Sequence, residues 1–471
     1  VGGAVGSEDC LYLNVWRPAS AERGLPVYVY VHGGGNSTGA ADALPDYMGY
    51  AVAARSGMVF VSLNYRLGPL GWFLDPDIAE GADPDSASGN FGTLDIIQAL
   101  KWVHDNVEAF GGDPSRVTLA GESAGALNTL SLMLSSKASG LFQRAVVESG
   151  YRGFSSPETA REASRKLFAS LLVKRGKAPD EGAALKLADL MPSADRAALL
   201  RAASARELVS LLKGGTTGMS GWPSAIADGL VLPSEGFAAF SGAYANRVPL
   251  IIGSNKEETK LFLYFAGKPD WRKPLYRAMG KFGGLSWKAA GVDSIADAIA
   301  SSPNAPGVYV YRFDWGSPWA DGKSVLPGAW GRRVGAFHAS EVGFFLGTDS
   351  CLGALFTGRL HGAANEKGRR ALSSGIMAYL AAFAASGDPN AIAAGGELRR
   401  EPLPRWAPRP EDAARSAAAG EPVGIVFDAN LAEASFAPLA EVVTKEGVDA
   451  AIDAELGPLE ARAVRAGLMV K

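Results

Sequence analysis

Ser123 stands in the run Gly121-Glu122-Ser123-Ala124-Gly125, directly after the strand-like Arg116-Val117-Thr118-Leu119-Ala120 and before an apolar stretch with helical spacing. A plain strand-to-helix loop has no need of glycines two positions either side of a serine. A serine held on a sharp, strained turn does, because those glycines remove Cβ atoms that would collide as the chain doubles back. Such a turn pushes the hydroxyl out beyond the end of the strand. The chemistry this permits is nucleophilic attack on a carbonyl. A hydroxyl alone is a poor nucleophile, so Ser123 needs a base within hydrogen-bond reach, a group to orient that base, and donors aimed at the developing oxyanion.

Candidate donors lie upstream. Val27–Val31 reads as a buried strand and runs straight into His32-Gly33-Gly34-Gly35. A glycine run past a strand end lets backbone N–H groups face an anion with no side chains in the way. Alone it would be a flexible turn. Followed by a serine elbow, it is a candidate oxyanion hole, with the N–H of Ala124, the residue after the serine, as a further donor. Four histidines compete for the role of base. His32 belongs to the glycine run, His104 sits in a helix-patterned stretch and suits its surface, and His361 opens a long helix pattern. His338 lies in Gly335-Ala336-Phe337-His338-Ala339-Ser340-Glu341-Val342.

The elements that must position these residues alternate in type. Leu11–Trp16 alternates like a half-buried strand. Val59–Leu63, Ala145–Val147, Pro249–Ile252 and Val308–Tyr311 are short, apolar and β-branched or aromatic, as buried central strands are. Between them, Asn90–Phe110 carries Leu94, Ile97, Leu100, Val103 and Val107 at helical spacing. This order predicts an α/β fold with a mainly parallel sheet covered by helices on both faces. Residues 1–471 are expected to form a single domain, with a helical insertion over 155–213, rich in Ala, Leu, Arg and Lys. Gly387–Gly420 is expected to be a surface excursion, and Glu441–Lys471 to be helical without an assigned role.

The chain of 471 residues is 47% hydrophobic and 20% charged, which suits an ordinary globular protein. A net charge of −3 gives no pull toward nucleic acid or an anionic membrane. No apolar run is long enough to span a bilayer. The histidines are scattered and neither cysteine lies near one, so no metal site is expected. For Cys10 and Cys351, free thiols, a mutual disulfide and a partner upstream of Val1 are all open. The chain begins with Val1 rather than methionine, so the lack of a signal peptide carries no information about compartment. Oligomeric state is not legible.

Ser7-Glu8-Asp9-Cys10-Leu11-Tyr12-Leu13-Asn14-Val15-Trp16 resembles the entry motif of the type-B carboxylesterases, the family that includes the cholinesterases. Phe110-Gly111-Gly112-Asp113-Pro114-Ser115-Arg116-Val117-Thr118, continuing through the elbow to Gly125, is similar to its serine signature. The match extends through Gly140-Leu141-Phe142-Gln143-Arg144-Ala145 and, more weakly, to Phe427. The resemblance implies the α/β-hydrolase fold and hydrolysis of a small-molecule carboxylic ester through an acyl-serine, with no cofactor. It also implies the remaining roles. In Gly253-Ser254-Asn255-Lys256-Glu257-Glu258-Thr259, Glu258 falls at the position of the triad acid, while Glu257 suits a solvated loop carboxylate. Thr259 replaces a glycine of the family pattern, which puts the local turn in question. His338, in a His-x-x-Glu that precedes Gly343-Phe344-Phe345-Leu346-Gly347, falls at the position of the base and completes the order Ser…Glu…His. Gly34, Gly35 and Ala124 are implied as oxyanion donors. Asn36, where many relatives carry an aromatic or small residue, and Trp222 are expected at the substrate pocket, with core filling as the alternative for Trp222. Because the chain begins just before the entry motif, an exposed sheet edge or a widened site mouth is expected, and choline specificity has no support. Two alternatives stay open: a non-catalytic adhesion or scaffold protein on the same fold, and an amidase or carbamate hydrolase using the same triad.

Overall fold

Alternating side chains explain the sheet. In Leu25–Val31, Val27, Val29 and Val31 join the core on one face, and Tyr28 and Tyr30 join the core on the other. The same division recurs in Val59–Leu63, where Val59, Val61 and Leu63 oppose Phe60, and in Val308–Phe313, where Val308 and Val310 oppose Tyr309 and Tyr311. Strands apolar on both faces must be covered on both faces, and helices do this. The computed structural model describes residues 5–79, 81–151, 153–212, 221–267, 270–391 and 403–468.

The strands are β1 (Leu13–Trp16), β2 (Leu25–Val31), β3 (Val59–Leu63), β4 (Gly112–Glu122), β5 (Arg144–Glu148), β6 (Leu250–Asn255), β7 (Val308–Phe313), β8 (Gly424–Ala429) and β9 (Ala434–Leu439). They form one sheet of nine in the order β1-β3-β2-β4-β5-β6-β7-β8-β9. Pairing is parallel from β3 across to β8, with Val29 opposite Val61 and Leu119, Val146 opposite Ile251, and Phe313 opposite Phe427. The outermost pairs, β1 with β3 and β8 with β9, are antiparallel. β1 is an edge strand whose residues are all half-buried.

The expected strands are present, and β8 and β9 add two that the periodicity did not signal. β9, Ala-Ser-Phe-Ala-Pro-Leu, is poor in β-branched residues and contains Pro438, which an edge strand tolerates because one side of its ladder is unpaired. The insertion is helical, over Pro157–Lys174, Glu181–Leu190, Ser193–Arg201 and Ala205–Val209, and it encloses its own apolar cluster around Leu167, Phe168, Leu171 and Leu172. Its first residue is tied to the chain beyond it, since the Ala227 N–H donates to the Ser155 carbonyl at 2.9 Å.

Gly387–Gly420 is more than a surface excursion. Residues 392–402 lie outside the described residues, but beyond them the buried Trp406 donates Nε1–H to the Val310 carbonyl at 3.0 Å, and Arg409 N–H donates to the Val308 carbonyl at 2.6 Å. Trp406 and Arg409 therefore lie against β7. Toward the C-terminus, Lys445–Glu455 and Pro458–Leu468 are helices, and Ile452 and Val464 pack with Phe282 of the helix Pro274–Lys288. Cys10 and Cys351 are both free thiols, the second buried. Among the described residues no helix is long and apolar enough to cross a membrane, and no cluster of potential ligands could hold a metal ion.

Candidate active site

β4 ends at Glu122, and the chain turns at Ser123 with φ 57° and ψ −117°. That positive φ is costly for a residue with a Cβ and is held by its surroundings. Ser123 N–H donates to the Glu148 carbonyl of β5 at 3.0 Å. A Cβ on Gly125 would overlap the Val31 carbonyl oxygen, and one on Gly121 would overlap the Gly125 backbone. The helix Ala124–Leu134 can therefore start directly above β4 only with glycine at both positions. The run after β2 arrives beside it with φ of 106° at Gly34 and 63° at Gly35. Ser37 and Thr38 N–H both donate to the Gly34 carbonyl, at 3.2 and 3.1 Å, closing the turn. Among the described residues, the N–H groups of Gly34, Gly35 and Ala124 have no hydrogen-bond partner.

The loop after β6 brings Glu258 to the histidine. Glu258 Oε2 lies 2.6 Å from His338 Nδ1, and Glu258 Oε1 accepts the Asn255 N–H at 2.7 Å. His338 N–H donates to the Glu258 carbonyl at 3.3 Å, and Glu257 N–H donates to the Ala336 carbonyl at 2.9 Å, so backbone bonds lock the two loops together. Glu257 is not a solvated carboxylate: it pairs with the buried Lys260 Nζ at 2.5 Å and accepts from Ser317 Oγ at 2.8 Å. Burial of the lysine makes that pairing a structural need.

His338 Nε2 lies 3.2 Å from Glu122 Oε1. Among the described residues, the Ser123 hydroxyl has no hydrogen-bond partner. Hydrogen bonds of this kind are often long without substrate and tighten when it binds. Burial alone would lower the His338 pKa, but the carboxylates of Glu122 and Glu258 outweigh it and push it up to about 9. Burial raises Glu122 to about 8, with His338 opposing and Glu341 and Glu258 reinforcing the rise. Each group therefore bears on the protonation of the other. A further carboxyl, Glu341, is raised to about 7 by burial and by Glu258. It accepts from Ser149 Oγ and, at 2.5 Å, from Asn255 Nδ2. The rings of Trp287 and Phe262 stand 4.8 and 5.2 Å from the imidazole and shut water from its flank. Glu341 was legible as part of His-x-x-Glu and Glu122 as the residue before the serine, but no spacing signalled Phe262 or Trp287.

A cavity of about 280 Å³ opens above these groups. Gly33, Gly34, Glu122, Ser123 and His338 line it, and Leu44, Tyr47, Leu261, Phe262, Phe265 and Leu352 add apolar wall. Asn36 and Trp222, expected at the pocket, do not line it. Asn36 is buried and bonded to Asn128 and Ser224. Trp222 stacks on Phe73 at 6.2 Å and donates Nε1–H to the Trp72 carbonyl, so it fills core. The other histidines lie apart. His32 is buried, stacks on Tyr65 at 4.5 Å, and is lowered to about 4 by burial. His104 is exposed beside Asp105, and His361 faces the Asp349 carbonyl.

The sequence model of the carboxylesterase family matches residues 2–279. The chain belongs to the carboxylesterase family. It is 32% identical over 411 residues to the para-nitrobenzyl esterase of Bacillus subtilis, covering 82% of this chain and 75% of that protein. It is likewise 32% identical over 400 residues to the fumonisin B1 esterase of Sphingopyxis macrogoltabida, covering 82% of this chain and 69% of that protein. Among solved structures, it superposes on the Geobacillus stearothermophilus carboxylesterase EST55 with a TM-score of 0.66 at 26% identity, over 92% of this chain and 84% of that one. The fold is that of the α/β-hydrolases, and the enzyme is a carboxylic ester hydrolase.

Proposed function

We propose that this carboxylesterase cleaves esters with a triad of Ser123, His338 and Glu258, through an acyl-serine. Ser123 Oγ attacks the ester carbonyl, and its proton passes to His338 Nε2. Glu258, bonded to Nδ1, fixes the imidazole tautomer and stabilises the imidazolium. The N–H groups of Gly34, Gly35 and Ala124 bind the oxyanion of the tetrahedral intermediate. His338 then protonates the leaving alkoxide. Water attacks the acyl-serine, with its proton going to the same nitrogen; as the Oγ–acyl bond breaks, His338 returns that proton to Ser123 Oγ and the acid departs. Nε2 must serve Ser123 rather than Glu122 in these steps. Burial raises the Glu122 pKa and so weakens the ion pair competing for it.

The single observation that carries this reading is the buried 2.6 Å contact between Glu258 and His338, set beside a positive-φ serine at one cavity. The apolar wall favours an uncharged acyl or alcohol group, and the name of the relative that acts on para-nitrobenzyl esters fits such a group. A fluorophosphonate is the test. It should label Ser123 stoichiometrically as turnover is lost, and Ser123→Ala should abolish labelling and lower kcat by roughly a million-fold with unchanged melting. A fully active Ser123→Ala variant refutes the assignment.

A further inference from the structure

Asn36 and Asn128 form a reciprocal amide pair. Asn36 Nδ2 donates to Asn128 Oδ1 at 3.3 Å, and Asn128 Nδ2 donates back to Asn36 Oδ1 at 2.9 Å. Asn36 Nδ2 also donates to Ser224 Oγ at 3.2 Å. The two asparagines are 2% and 1% exposed, so water does not compete for these bonds.

Their places in the chain give the pair its meaning. Asn36 directly follows Gly34 and Gly35, and Asn128 lies one turn into the helix that opens at Ala124. The pair thus joins the two segments that carry the proposed oxyanion donors, of which Gly34 lines the cavity. Asn36 has φ 53°, a left-handed conformation that asparagine tolerates better than most residues with a side chain. Its carbonyl accepts the Gly68 N–H at 2.7 Å, which pins the same residue from a third direction.

We propose that the Asn36–Asn128 amide pair is a positioning device that sets the spacing between the two halves of the oxyanion hole. This rests on the reading of Gly34, Gly35 and Ala124 as its donors. The hole is assembled from segments far apart in sequence, so no local geometry fixes their distance. The contact of Gly125 with Val31 ties the segments once; the amide pair ties them a second time, between the residue after Gly35 and one a helical turn beyond Ala124. Hydrogen-bond strength falls steeply with distance and angle, so a small drift weakens the hold on the oxyanion more than the hold on the ground-state ester. A pair that only filled core would affect stability without separating these states.

The test uses Asn128→Ala and Asn36→Gly; the glycine keeps the left-handed backbone and removes only the amide. Each variant should lose kcat on the order of 10- to 100-fold with KM changed by less than about threefold. Affinity for a trifluoromethyl ketone, whose serine adduct carries an oxyanion, should fall in parallel. The double variant should be little worse than either single one, because the two amides act as a unit. Should Asn128→Ala fail to fold, Asn36→Gly decides alone. A fluorophosphonate adduct of the wild-type enzyme on a residue other than Ser123 overturns the underlying triad. Ser123 labelled in the wild type, with kcat and ketone affinity unchanged in both variants even if they melt lower, overturns only the amide-pair proposal.

Discussion

Around Ser123 the backbone is fixed by contacts that leave no space for a Cβ, whereas around His338 it is fixed by buried carboxyl groups. On the first side, Gly125 lies against the Val31 carbonyl, Gly121 against Gly125, and Ser123 is held at a positive φ. On the second side, Glu258, Glu122 and Glu341 are buried around one imidazole, and Glu257 is bound to a buried lysine. The comparison teaches that one half of the site depends on shape and the other on protonation. The first should fail through folding, and the second through activity and its pH dependence.

Among the residues that support the nucleophile, the largest effect is expected on the protonation side. Glu258→Gln keeps the size of the side chain but cannot stabilise the imidazolium, and in the proposed triad kcat should fall roughly ten-thousand-fold. Its neighbour makes the contrast: Glu257→Gln should leave kcat nearly intact and lower the melting temperature, because Lys260 loses its buried partner. Steady-state kinetics beside thermal melts check both, and swapped phenotypes would mean that the acid is Glu257.

Gly125→Ala tests the shape side. The added methyl meets a backbone carbonyl that cannot rotate away, so stability should drop by about 1–3 kcal/mol or more, seen as a lower denaturant midpoint. A variant that melts like the wild type would show that the elbow has slack.

The smallest effect separates the two sides most sharply. The imidazole must be neutral to accept the serine proton, so kcat/KM falls as pH drops through its pKa. Because the Glu122 and Glu258 carboxylates raise that pKa to about 9, the acid limb should lie above the ordinary histidine value of about 6.5. Glu122→Gln removes the larger of the raising charges and should move the limb to lower pH, without changing the melting profile in the way Gly125→Ala does. Profiles from pH 5 to 10 measure this, and an unmoved limb would mean Glu122 carries no charge in the free enzyme.

By itself the sequence determined what local sterics dictate. Two glycines around Ser123, a glycine run after an apolar strand, and strands alternating with helices have few conformational solutions, so the elbow, the candidate donors and the parallel sheet were legible from neighbours in the chain. The Glu258–His338 contact was legible only through resemblance, because its partners lie 80 positions apart. Only the tertiary structure decided what non-local burial dictates. Glu257 looks like a loop carboxylate until Lys260 is found buried against it. Asn36 looks like a pocket rim until Asn128 arrives from a segment 92 residues away. β9 has too little β-branched character to announce itself, and it pairs because β8 offers an open edge. His338 Nε2 faces Glu122 because folding seals both groups from water in one space. A side chain's charge and hydrogen bonds follow from what surrounds it in three dimensions, and no local pattern encodes that.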